Sequence, residues 1–348
     1  MKFDFLLIGH GLAGSILGYR LLQEGQSIRI IDSSVDNTSS RVAAGLYNPI
    51  TGRKMVKTWM ADQLFPEIKP LYQELEKVTR KTFLEEIPIY RPFLTVEEQN
   101  EWMGKSAEAT FVDYVSQVFQ KSKNPAIKDP FGGVMLRNSG WLATAKFLEA
   151  MTEFYGDILR EEKFDETDLI PEKEGWTYRN DLFKNVIFCN GLGALDSRFF
   201  SWLPFSPVKG EILEVSQSFE PSFIVNRGVF RVGLGNRLHR VGSTYTKHDL
   251  DQGPTESAKN ELIERLDDLI NEPIIQIQSH KFGIRPATRD RKPFLGKHPS
   301  HQSVYCFNGF GAKGVSLIPY FSKKMTNYIL KSEPLEKEVD IARYFNYI

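Results

Sequence analysis

The chain has 348 residues, 41% of them hydrophobic and 25% charged, which bounds it to about two ordinary globular domains with a sizeable core. Its 44 basic and 44 acidic residues cancel, so net charge gives no support for non-specific binding to nucleic acid or an anionic membrane. Cys189 and Cys306 sit inside apolar runs with no Cys-x-x-Cys pair, and the six histidines lack metal-ligand spacing, which argues against disulfide chemistry and metal centres.

The first elements read as a βαβ start. Phe3–Ile8 is a strand, Gly9-His10-Gly11-Leu12-Ala13-Gly14 a glycine-rich turn, Ser15–Glu24 a helix and Ser27–Asp32 a second strand. Gly9 permits a tight turn, Gly11 lets the backbone approach a pyrophosphate, and Gly14 lets helix and strand pack closely. The pyrophosphate would sit at the positive end of the helix, where free N–H groups point outward. Asp32 lies 18 residues beyond Gly14, near the spacing expected of an acid that accepts hydrogen bonds from a ribose. The candidate dinucleotide-binding residues here are Gly9, Gly11, Leu12, Ala13, Gly14, Asp32 and Ser33, with His10 read as a solvent-facing spacer. The glycine loop starts so early that cleavage of a leader would destroy it, and no run approaches the ~20 apolar residues that span a bilayer. The expectation is a cytoplasmic protein.

Residues 33–57 read as irregular, Thr58–Lys77 as a helix, and Phe83–Asp129 as short strands and helices of a second domain. Trp141–Tyr155 reads as a helix, and Asp157–Phe164 and Asn185–Cys189 as strands returning to the first sheet. Glu211–Val215, Val229–Val232 and His239–Tyr245 read as antiparallel strands, followed by a helix over Thr255–Ile270 and a long strand over Ile274–Ile284. Ser303–Phe307 is a strand and Gly314–Leu330 a closing helix. The fold class is therefore α/β: a Rossmann-type dinucleotide-binding domain (1–80, 135–208 and 280–348) with a discontinuous domain of antiparallel sheet plus helices (81–134 and 209–279) for the substrate.

Five later blocks, in order, resemble those of the FAD-dependent amine and amino-acid oxidase family that includes glycine oxidase, D-amino-acid oxidase and sarcosine oxidase. Ser39-Ser40-Arg41-Val42-Ala43-Ala44-Gly45-Leu46 is similar to its second flavin-contact loop. Val186–Ala194 resembles its strand-then-glycine segment, and Pro207-Val208-Lys209-Gly210-Glu211 its entry into the substrate domain. Gly283–Gly296 resembles its G-x-R-P-x-T-x-D-x-x-P-x-x-G block, and Asn308–Ser316 its terminal flavin loop. The resemblance implies FAD as the dinucleotide, and adds Ser40, Ala44, Gly45, Leu46, Phe164, Asn190, Gly191, Arg285, Gly309, Gly311, Ala312, Lys313, Gly314 and Val315 to the cofactor-binding candidates. The flavin-tethering cysteine of some relatives is missing, since no cysteine lies between Cys189 and Cys306; non-covalent FAD is expected.

The resemblance also implies oxidation of the C–N bond of an amino acid or N-substituted glycine by hydride transfer to flavin N5. Arg285 would bind the substrate carboxylate; the alternative for it is a structural salt bridge with Asp290. Lys313 would help hold that carboxylate, Tyr245 would line the pocket from the end of its strand, and Arg53 and Lys57 could add positive charge over the ring. Phe310 replaces the family's histidine, so no chemistry is carried over from that position. Two other readings stand beside this one. The Ala44–Pro49 loop and the block from Gly283 also resemble the oxidase domain of the bifunctional enzyme making 5-methylaminomethyl-2-thiouridine in tRNA, for which Arg227, Arg231, Arg237, Arg240 and Lys247 could touch phosphates. The other is a flavin-binding protein without catalysis.

Overall fold

The computed structural model describes residues 1–33, 38–52, 54–250 and 253–347. Strand Lys2–Ile8 shows how its first sheet is built. Phe5 and Leu7 enter one hydrophobic cluster and Leu6 and Ile8 another, so both faces are covered, as the unbroken apolar run requires. Its parallel neighbours are Ile28–Asp32 on one side and Asp181–Phe188 on the other; Leu159–Glu161 extends the sheet beyond the first and Val304–Asn308 beyond the second. Phe294–Lys297 closes one edge antiparallel, and a meander, Leu169–Glu172 and Gly175–Tyr178, pairs with the start of Asp181–Phe188. Helices Leu12–Gln23, Thr144–Tyr155 and Gly314–Lys331 cover one face.

The second sheet has eight strands in the order Gln276–Arg285, Val208–Ser216, Leu238–Gly242, Val229–Gly235, Ile224–Arg227, Ile89–Pro92, Gly133–Leu136, Val115–Phe119. One face (Leu213, Val215, Val225, Val241) packs against Leu262 and Leu266 of helix Glu256–Asp267. On the other face Gly210, Ile212, Asn226 and Phe230 line a cavity. The two large sheets mark the two domains we propose. The topology places Gly133–Leu136 in the second sheet. Leu84–Glu86 instead joins a small sheet with Leu46–Tyr47 and Gly140–Leu142.

Two expected elements differ and three strands were not expected. The helix read from Trp141 begins at Thr144, because Gly140–Leu142 is an antiparallel strand. The meander at 169–178 and the edge strand Phe294–Lys297 went unread. The strand expected to reach Tyr245 ends at Gly242, and Tyr245 is 63% exposed. No helix among the described residues is long and apolar enough to cross a membrane.

Candidate active site

The glycine turn lies between the end of strand Lys2–Ile8 and helix Leu12–Gln23. Gly9 has φ +102°, and a Cβ there would sit 2.7 Å from the Cys189 carbonyl oxygen. A Cβ on Gly14 would be 1.9 Å from the Gly9 carbonyl oxygen, so only glycine lets the helix start this close to the strand. The first helical bond runs from the Ser15 N–H to the Gly11 carbonyl at 3.0 Å. The amides before it form the open, positive end of the helix. Ser40 Oγ accepts from the Leu12 N–H at 3.2 Å and ties the second loop to this end.

Asp32 and Ser33 close the same end. Burial pushes the Asp32 carboxyl up, and a hydrogen bond from the His10 main chain opposes this. His10 is no solvent-facing spacer. It is 5% exposed, its Nε2 has no partner among the described residues, and burial then Arg41 lower its pKa to about 4. An imidazole facing inward from a glycine turn carries no sequence signal that separates it from one facing out.

These groups form one end of a cavity of about 1020 Å³, at the upper limit of ligand pockets. Leu12, Ala13, Ser40, Ala44, Gly45, Leu46, Phe164, Asn190, Gly191, Gly311, Ala312, Lys313, Gly314 and Val315 line it with Gly9, Gly11, Asp32, Ser33, Tyr245 and Arg285. Gly14 and Gly309 are outside the wall; a Cβ on Gly309 would meet Thr288 Cγ2 at 2.7 Å. Asn308 Nδ2 donates to the Gly191 carbonyl at 2.8 Å, which joins the loop after strand Asp181–Phe188 to the loop after strand Val304–Asn308, and its Oδ1 accepts from the Gly309 N–H at 2.7 Å. Asn190 Oδ1 is buried with no partner among the described residues. Cys189 lies in the wall with its thiol pushed up by burial.

The donor set fits a dinucleotide. A helix N-terminus suits the pyrophosphate, Asp32 a ribose, and the glycine turns leave room for backbone contact. The orphaned His10 Nε2 and Asn190 Oδ1 are polar atoms inside the same space.

At the other end Arg285 projects from strand Gln276–Arg285 across Gly210. A Cβ on Gly210 would lie 1.9 Å from Arg285 Nη2, so the missing side chain makes the guanidinium's seat. Nη2 donates to Ser243 Oγ at 2.7 Å and to the Thr244 carbonyl at 3.4 Å, and the guanidinium carbon is 6.0 Å from the Tyr245 ring centroid. Burial is the main effect lowering its pKa. Asp290 does not pair with it: that carboxylate takes Arg343 at 3.1 Å and Tyr344 at 2.7 Å. Among the described residues no carboxylate pairs with Arg285. The lining carboxylates Asp32, Glu166 and Asp196 come from the first-sheet side, and the second-sheet wall supplies none. Lys313 caps the closing helix in the wall; its pKa is lowered by burial, Arg291 and Lys292.

Lys57 is not in the wall and pairs with Asp62 at 2.7 Å, while Arg53 lies outside the described residues. The basic set expected to meet phosphates is mostly spent internally. Arg227 pairs with Glu98 at 2.7 Å, Arg240 with Glu214 at 2.8 Å, and Arg231 is buried against Gln217 and the Phe219 carbonyl. Sequence reading missed the wall residues Ile212, Asn226 and Phe230, which carry no motif and are set by sheet register, and Ser243, which follows the end of strand Leu238–Gly242.

The family model described as FAD dependent oxidoreductase matches residues 4–328. Glycine oxidase of Bacillus subtilis is 22% identical over 95% of this chain and 94% of its own. Glycine oxidase of Pseudomonas putida is 28% identical over 41% of this chain. The tRNA 5-methylaminomethyl-2-thiouridine biosynthesis bifunctional protein of Leptospira interrogans is 22% identical over 98% of it. The chain spans only 39% and 59% of the lengths of these last two. Among solved structures, glycine oxidase from Geobacillus kaustophilus has TM-score 0.76 at 20% identity over 99% of this chain and 98% of its own. Iminodiacetate oxidase from Chelativorans sp. BNC1 has TM-score 0.80 at 18% identity over 98% of each chain.

Proposed function

The chain belongs to the FAD dependent oxidoreductase family, and from that premise we propose that it oxidises the C–N bond of an amino acid or N-substituted glycine. The observation that carries this reading is Arg285, a half-buried guanidinium in the cavity wall with no carboxylate partner among the described residues. A partly desolvated cation without an opposite charge is costly, and an incoming carboxylate relieves that cost through paired charge-assisted hydrogen bonds. Ser243 and Thr244 fix the orientation of the fork, and Tyr245 borders it at the rim. Lys313 adds positive charge at the start of the closing helix.

FAD, when bound, accepts the two electrons. Gly9–Ala13, Ser40 and Asp32 would hold its nucleotide end, and Gly311–Val315 would border its ring end. Non-covalent attachment is supported by the surroundings of Cys189 and Cys306, both buried with thiols held protonated. With the carboxylate fixed, positioning does most of the work asked of the protein.

The test is anaerobic addition of glycine, sarcosine, proline and D- and L-amino acids to the yellow protein. Bleaching of the flavin band by one class is expected, with loss of bleaching in Arg285→Ala. A flavin that none of them reduces would overturn the reading. The alignment of the bifunctional tRNA-modifying protein over 98% of this chain favours one second reading, in which the carboxymethylamine lies on a wobble base. Salt-dependent binding of tRNA would support it. The internal pairing of Arg227, Arg231 and Arg240 weighs against it.

A further inference from the structure

The second sheet presents one row of residues to the cavity. Asn226 stands opposite Phe230, Phe230 opposite Gly242, and Gly242 opposite Ile212. Ile212, Phe230 and Asn226 all line the cavity. Gly242 lets the row close up: a Cβ there would lie 2.7 Å from Ile212 Cγ2 and 2.9 Å from Phe230 Cζ. Ile212 and Phe230 therefore form a continuous apolar strip.

The two ends of the strip differ. At one end is the Arg285 guanidinium, over Gly210 and bonded to Ser243 next to Gly242. At the other is Asn226, half-buried, whose side-chain amide has no hydrogen-bond partner among the described residues. The nearest cation on the neighbouring strand, Arg91, donates to the Gly52 carbonyl at 2.9 Å and is not in the wall. From strand Leu238–Gly242 to strand Ile224–Arg227 is two inter-strand steps, roughly 10 Å. A glycine-sized substrate seated at Arg285 spans only part of that distance.

Resting on the amine-oxidation reading, we propose that Asn226 and Phe230 select a substrate larger than glycine. Its carboxylate binds Arg285, an apolar or planar stretch covers Phe230, and an uncharged carboxamide-type edge meets the Asn226 amide. Asn226 offers one acceptor and two donors, which matches a group that both donates and accepts. Among the described residues, a charged end group would find no opposite charge in the strands flanking Asn226 that faces the cavity.

The experiment compares kcat/KM for flavin reduction in the FAD-loaded protein with four amines: sarcosine, N-butylglycine, N-(2-carbamoylethyl)glycine and N-(2-carboxyethyl)glycine. The carbamoyl compound is expected to exceed the other three, by roughly tenfold over N-butylglycine, because an unmatched polar edge is expensive to bury. Asn226→Leu should remove that preference, bringing kcat/KM for the carbamoyl compound down to that for N-butylglycine in the same variant. Equal or better use of sarcosine or of the dicarboxylate would overturn this inference, as would an Asn226→Leu loss shared equally by all four. In those cases amine oxidation itself still stands. Failure of every amine to reduce the flavin would remove both.

Discussion

A single missing side chain explains where the Arg285 head rests. Gly210→Ala would put a methyl group where the guanidinium now lies, 1.9 Å from Nη2, on a strand whose backbone any residue can adopt. The expected result is an unchanged circular-dichroism spectrum with kcat/KM for the amine lowered roughly tenfold or more, since a displaced fork loses its paired bonds. Arg285→Lys should be impaired too, because a point charge cannot replace the fork. An unimpaired Gly210→Ala enzyme would show that the fork is not the carboxylate site. His10 makes a prediction of the opposite kind. Its folded pKa of about 4 lies below the ordinary value of 6.5, so the unfolded chain binds the extra proton more readily. Stability is therefore lost as pH falls from 6.5 towards 4, by a limit of about 3 kcal/mol for this group. Urea unfolding of His10→Gln should lose less stability over that window than the wild type. His239, also lowered to about 4, keeps its own share in both proteins. Equal slopes would mean that His10 is hydrated in the folded protein.

At the scale of elements, the readable signals were those with a local cause. The apolar runs Phe3–Ile8 and Val304–Phe307 and the glycines between strand and helix have one reading each. Tyr245 did not, because the strand before it ends by a rearrangement of partners. Thr244 Oγ1 accepts from the Glu211 N–H at 2.9 Å, and Thr246 exchanges backbone bonds with Lys209. The same segment is clamped again further on, where Lys209 Nζ donates to the Gly253 carbonyl at 2.9 Å and Glu211 accepts from the Thr255 N–H at 2.9 Å. Lys209 and Glu211 form a fully buried ion pair at 3.0 Å, with His280 Nε2 2.8 Å from the same carboxylate. Removing one member strands a buried charge, so Lys209→Met should cost about 3–5 kcal/mol in denaturant unfolding. Lys209→Met combined with Glu211→Leu should recover much of that loss. If the double variant is no better than the single one, the pair is holding the segment by its hydrogen bonds rather than merely tolerating burial.

At the scale of the molecule, the sequence blocks were legible one at a time while the space between them was not. The strands Lys2–Ile8, Asp181–Phe188 and Val304–Asn308 come from distant parts of the chain and lie side by side, so the three loops that follow them converge on one cavity. The opposite wall depends on which residue faces which across five strands, and no single-sequence pattern specifies that register. One consequence can be measured on the cofactor-free protein. A ligand bound only by the folded state stabilises it by about 2.7 kcal/mol at a hundred times its Kd, so added FAD should raise the melting midpoint. Gly11→Val is the discriminating variant. Gly11 has φ −71°, which valine adopts, while its Cβ would point towards Ser40 Oγ at 3.0 Å, where the second loop meets the open helix end. The variant should fold and melt near the wild-type apo temperature yet show no FAD-induced shift. A full shift in Gly11→Val would place the pyrophosphate elsewhere in the cavity and would detach the nucleotide from the helix end.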